Sequence, residues 1–161
     1  VELELFYKYI DQKRADLEFL SRVILALAKI NMPVSAIILK EIFSTGNEMI
    51  KIEVLKSMRI AADFDAEFIL PLLQEKSVVL KKEALAALLR DTPAREKGLG
   101  MLLGIPSPWG NKNRLILDNL RIIEELDLRD ASSYLIDFSK RKFFWNKELR
   151  LKALQILGSW K

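Results

Sequence analysis

A nine-residue pattern recurs at an offset of thirty residues, and no other feature constrains the fold as strongly. Ile50-Lys51-Ile52-Glu53-Val54-Leu55-Lys56-Ser57-Met58 aligns with Leu80-Lys81-Lys82-Glu83-Ala84-Leu85-Ala86-Ala87-Leu88. Apolar meets apolar at the first, fifth, sixth and ninth positions, Lys meets Lys at the second, and Glu meets Glu at the fourth. A third copy runs from Leu149 to Leu157, and weaker ones span Arg22–Lys29 and Arg114–Ile122. Such self-similarity is the mark of a repeat architecture. One unit cannot bury its apolar face alone, so neighbours stack into a continuous core.

The periodicity inside each copy is helical. Val54, Leu55, Met58, Ala61 and Ala62 fall on one face at steps of three and four, while Glu53, Lys56, Arg59 and Ile60 point away. Lys51 sits on the apolar side in the first turn, with Lys81 and Arg150 in the same place. There a long stem can cover apolar surface while its charge reaches a neighbouring turn. Shorter helices are expected over Val34–Phe43, Asp65–Gln74 and Arg129–Phe138, with a kink at Pro71, which lacks a backbone donor. Asn31-Met32-Pro33, Ser44–Asn47, Asp91-Thr92-Pro93 and the long stretch Gly104–Asn113 separate the units. Ser44 or Thr45, Asp91 or Thr92, and Asn146 are the expected helix caps.

Paired helices of this length, with Lys or Arg opening the second helix and Ala-Leu pairs inside it, resemble HEAT-type repeats. The clearest stretch is Ile50–Arg90, where Ile-Lys-x-Glu-x-Leu, Phe-Ile-Leu-Pro-Leu-Leu and Leu-Lys-Lys-Glu-Ala-Leu-Ala-Ala-Leu follow one another, similar to the short bacterial HEAT pattern. The resemblance implies an all-α, armadillo-like fold, a right-handed α-solenoid of about five HEAT-like helical pairs covering 1–161 as a single domain. The pairs would span roughly 1–30, 34–62, 65–91, 93–125 and 129–160. First helices would lie outside and second helices would line a concave surface. It also implies a scaffold that binds protein or, less often, nucleic acid. Apolar residues crowd both ends (Leu3, Leu5, Phe6, Tyr7 and Tyr9 at one, Leu157 and Trp160 at the other), so a fragment of a longer protein is expected.

Composition narrows the chemistry. The chain has no cysteine and no histidine, which excludes disulfides, thiolate sites and every Ser-His-Asp or Cys-His arrangement. No enzyme activity, cofactor or metal is therefore expected. No signal peptide is expected from the start Val1–Glu4, no apolar run reaches spanning length, and a cytoplasmic location is the expectation. The net charge of +4 is unevenly placed: residues 106–161 hold eleven basic and seven acidic side chains, whereas 1–47 and 48–105 are balanced.

Three candidate sites follow. The first is the concave ridge, where Arg22, Lys29, Lys56, Arg59, Lys82, Arg90, Arg121 and Lys152 would meet a protein partner, together with Glu53, Ile60, Glu83, Asp118, Ile122 and Gln155. The second is the turn Lys140-Arg141-Lys142-Phe143-Phe144-Trp145-Asn146-Lys147. Cations interleaved with aromatics suit phosphate contact plus base stacking or headgroup insertion, and nucleic acid or another polyanion is the alternative partner. The same aromatics would equally serve to seal the turn. The third is Trp109, either an exposed anchor in the long loop or a plug over the repeat seam. The acids Glu124, Glu125, Asp127, Asp63 and Asp65 fall at helix ends, and ion pairing or solvation is expected for them. An enzyme like the DNA-alkylation-repeat glycosylases would need aromatics and an acid in the cleft. Trp109, Trp145 and Asp118 are the nearest equivalents, and no motif of that family is matched residue by residue.

Overall fold

The computed structural model describes residues 8, 16–30, 32–61, 65–104, 110 and 112–160. All regular structure among them is helical, as the repeat requires. The chain divides into two compact units, Val1–Ala66 and Glu67–Lys161.

The N-terminal unit holds α1 (Leu17–Lys29), α2 (Pro33–Thr45) and α3 (Glu48–Met58), each packed on the other two. Leu20, Ile24 and Leu27 of α1, Ile38, Leu39 and Ile42 of α2, and Ile50, Val54 and Leu55 of α3 are buried. Asp16 caps α1 by accepting from the Phe19 N–H at 2.9 Å, and Asn47 caps α3 by accepting from the Ile50 N–H at 3.0 Å. Such caps each contribute about 1 kcal/mol. Asn47 takes the place expected for Ser44 or Thr45. Those two lie in or beside the last turn of α2 and donate their hydroxyls to the Glu41 carbonyl at 2.9 Å. Ser and Thr at a helix end satisfy carbonyls as readily as a neighbouring Asn satisfies amides.

In the C-terminal unit α4 (Ala66–Ile69) passes into a 3-10 turn, Leu70–Gln74, where Pro71 interrupts the helix as expected. Then come α5 (Val78–Leu88), α6 (Thr92–Leu103), α7 (Asn113–Glu125), α8 (Ser132–Ser139) and α9 (Lys147–Ser159). Short 3-10 turns, Arg129–Ala131 and Phe144–Asn146, lead into α8 and α9. Ser77 caps α5 and Asp91 caps α6 through the Leu80 and Ala94 amides. Within the expected spans 65–91, 93–125 and 129–160 lie α4 and α5, α6 (from Thr92) and α7, and α8 and α9. Their second helices neighbour one another in chain order, α5 against α7 and α7 against α9, while α6 packs on α5 and α7, and α8 on α9. Gly98 lets α6 approach closely: a Cβ there would stand 3.1 Å from Leu73 Cδ1 and 3.2 Å from Leu88 Cδ1.

Candidate interaction surfaces

The second-helix ridge is a surface of charges that answer one another. Lys82 of α5 bonds Glu125 Oε2 near the end of α7 at 2.6 Å, and Lys152 of α9 bonds Glu124 Oε2 at 2.5 Å. Glu124 and Glu125 thus clamp α7 to its two neighbours, one carboxylate in each direction. Arg121 pairs with Asp118 on its own helix at 3.1 Å, and Asp127 lies 3.7 Å from Arg129. In the N-terminal unit Arg22 pairs with Glu18, Lys56 with Glu53, and Lys40 with Asp65. Lys29, Arg59 and Arg90 are exposed as expected. Asp63 lies outside the described residues.

One ridge position is wrong. Ile122 was expected to face solvent and is only 1% exposed. Burial aligns Leu115–Ile123, not Arg114–Ile122, with the nine-residue pattern. Asn119, Leu120, Ile122 and Ile123 are buried as Val54, Leu55, Ser57 and Met58 are. Ile122 therefore takes the place of Ser57 at the seam, and Asp118 and Arg121 take those of Glu53 and Lys56.

The first-turn lysines behave as the pattern suggests. Lys51 brings its ammonium to 5.4 Å from the centre of the Phe43 ring. Lys81 is 4% exposed, and its Nζ reaches Asn119 Oδ1 across the α5–α7 seam at a long 3.5 Å. Asn119 Nδ2 in turn donates to the Leu102 carbonyl at 2.8 Å. Burial lowers the Lys81 pKa, and the nearby Asp118 charge opposes that shift only in part. Asn119 escaped the sequence reading, although an Asn where Val54, Ala84 and Ala153 stand in the other copies is a visible sign of a buried polar contact.

The basic turn between α8 and α9 divides its aromatics between two roles. Trp145 is half-buried and stacks on Phe143, with centroids 4.8 Å apart and planes 2° from parallel. Phe144 meets Trp145 edge-on at 4.8 Å. Yet Phe143 is 62% exposed and Phe144 83%, so sealing the turn explains Trp145 and not the two phenylalanines. Lys140, Lys142 and Lys147 are exposed and form no ion pair among the described residues. Arg141 turns inward, its guanidinium 4.9 Å from the Phe138 ring centre.

The turn is fixed from behind by residues the sequence did not single out for this role. Asn113, the first residue of α7, donates from Nδ2 to the Trp145 carbonyl at 2.6 Å and to Asn146 Oδ1 at 2.9 Å. Asn146 precedes α9 but makes no side-chain cap, because its carbonyl is engaged by Asn113. Gly110 has φ +76°, and a Cβ on it would lie 2.9 Å from Trp145 Cδ1. Trp109 lies outside the described residues. With Asp118 paired to Arg121 and Trp145 stacked on Phe143, the two described members of the glycosylase-like set are engaged elsewhere.

Among the described residues no group of three or more His, Cys, Asp or Glu is placed to hold a metal ion, and no helix is long and apolar enough to cross a membrane. Comparison with protein-family models, with curated proteins and with solved structures gives no match, so the resemblance to HEAT repeats rests on the repeated pattern and the helix order.

Proposed function

We propose that the chain is a non-catalytic interaction module, a right-handed α-solenoid of HEAT-like pairs that holds a protein partner along its second helices. The serial packing of α5, α7 and α9 supports the architecture. The observation that carries the binding reading is charge compensation. Lys82, Arg121 and Lys152 each have a carboxylate of the chain within 3.1 Å, which leaves little net field for a polyphosphate. The trough between α7 and α9 is lined by Leu117, Arg121, Glu148, Leu151, Lys152 and Gln155. Apolar contact flanked by both signs of charge matches a polypeptide, whose register such charges can fix.

Site-specific photo-crosslinking tests this. A crosslinker at Leu151 should give a discrete adduct with one protein, lost when Arg121 is changed to Glu. A crosslinker at the exposed Glu75, which follows the α4 turn, should give none. Equal labelling at both positions would sink the reading.

A second reading, binding of nucleic acid or another polyanion through the basic C-terminal third, is favoured by Lys140, Lys142 and Lys147, which form no ion pair among the described residues. Heparin binding that falls steeply with salt and disappears when these three are changed to Ala would support it, since neutralising a polyanion releases its counterions.

A further inference from the structure

We infer that the turn Lys140–Lys147 docks on an anionic lipid surface, with Phe143 and Phe144 entering the headgroup region and Lys140, Lys142 and Lys147 meeting lipid phosphates. The inference deepens the polyanion reading, on which its charge argument rests, by naming the polyanion.

Three observations point to a bilayer. First, the tip is hydrocarbon. Phe144 is the most exposed of the large apolar side chains described, Phe143 adjoins it, and neither ring carries a polar atom for water to solvate. Second, the tip has a basic collar. Lys140, Lys142 and Lys147 flank the two rings, with Asp137 and Glu148 as the nearest acids in sequence. Apolar insertion and attraction to anionic headgroups are the two forces that hold an interfacial segment. Third, the tip is held in place before any ligand arrives. Trp145 is clamped by the Asn113 amide and by Gly110, and Arg141 is drawn back over Phe138. A preordered tip loses little conformational freedom on insertion.

The ring geometry disfavours single-stranded nucleic acid. Base stacking needs free aromatic faces along a basic track. Here Phe143 and Trp145 stack on each other at 4.8 Å, which leaves no space for a base between them.

Co-sedimentation with vesicles tests the inference, using phosphatidylcholine alone and phosphatidylcholine mixed with phosphatidylglycerol. Three proteins are compared: the unaltered chain, Phe143→Ser with Phe144→Ser, and Lys140, Lys142 and Lys147 all changed to Ala. Every altered side chain is exposed, and matching thermal melts establish that the variants fold. The unaltered chain should bind the anionic vesicles and not the neutral ones, with binding that weakens as salt rises. The double Phe variant should bind them roughly tenfold more weakly or worse, because the buried apolar area is lost, yet keep its heparin affinity. The triple Lys variant should lose both. Undiminished vesicle binding by the Phe variant would overturn the inference, since charge alone would then account for it. Binding to heparin or a single-stranded oligonucleotide without vesicle binding would overturn it and leave the polyanion reading standing. Binding to none of these would overturn both.

Discussion

Asn113 Nδ2 donates to the Trp145 carbonyl oxygen at 2.6 Å and so ties the start of α7 to the turn before α9, thirty-two residues away. The same nitrogen serves Asn146 Oδ1, whereas Asn113 Oδ1 is buried without a hydrogen-bond partner among the described residues. Both of these contacts use Asn113 as the donor. Asn113→Ala should destabilise the chain by about 2 kcal/mol, because a carbonyl and an amide oxygen lose their partner. Asn113→Asp is the sharper test. Its carboxylate would face two acceptors, so its folded pKa would rise above the unfolded value. Such a group helps only while protonated. Denaturation across pH should show the Asp variant closest to the parent in acid, losing ground as pH rises through the raised pKa. A deficit independent of pH would mean that the amide is not what holds the turn.

Gly110 is required twice over, for its backbone and for its missing side chain. Its φ of +76° disfavours any L side chain, and a Cβ would press on the Trp145 ring at 2.9 Å. Gly110→Ala should cost about 1–3 kcal/mol. A double-mutant cycle separates the two causes. In a Trp145→Ala background the contact with the ring vanishes, while the backbone part and the 3.2 Å approach to Asn113 Nδ2 remain, so the penalty should shrink without disappearing. An equal penalty in both backgrounds would mean that the ring contact contributes nothing to it.

Lys81 supplies a prediction about pH. Its folded pKa is lowered from the ordinary 10.5, chiefly by burial, with Asp118 pulling the other way. Between the lowered value and 10.5 the unfolded chain binds more protons than the folded one, so stability must rise with pH through that window. Lys81→Met keeps the stem and removes the charge. It should equal or exceed the parent in stability at neutral pH, since an apolar replacement of a buried charge is often neutral or favourable. Its advantage should then diminish as the parent gains stability toward pH 10.5. Parallel melting curves for the two proteins across the alkaline range would refute this account of Lys81.

The order of helices was legible because burial in stacked pairs imposes a period on the sequence, and Val54, Leu55 and Met58 repeat in Ala84, Leu85 and Leu88 with the same buried face. The register of α7 was not. Polar Asn119 interrupts its apolar stripe, and a shift of one residue sends Ile122 from seam to solvent. Capping was partly legible: Asp91 stands before Pro93 and does cap α6, but Asn146 looks like a cap and serves a partner thirty-three residues away. Local spacing cannot reveal a contact of that range. Ion pairing of Glu124 and Glu125 followed from their place at a helix end, whereas the direction of each, forward to Lys152 and back to Lys82, depends on how neighbouring helices stack.

Those two bridges should differ in strength. Glu124 and Lys152 are the more sheltered pair, at 34% and 21% side-chain exposure, against 55% and 34% for Glu125 and Lys82. Shelter reduces screening, so the Lys152–Glu124 coupling should reach about 1 kcal/mol, while the Lys82–Glu125 coupling falls to a few tenths. Double-mutant cycles with Lys→Met and Glu→Gln at each pair measure both, and added salt should erode the exposed coupling first. The ordering matters beyond stability. If Lys152 is held by Glu124, it orders the α7–α9 trough and is not available to a partner, so Lys152→Met should lower stability more than it lowers partner capture. Arg121, paired with Asp118 a turn away on its own exposed helix face, should show the reverse. Equal couplings in the two cycles would mean that burial does not rank these contacts and that both lysines belong to the binding face on the same terms.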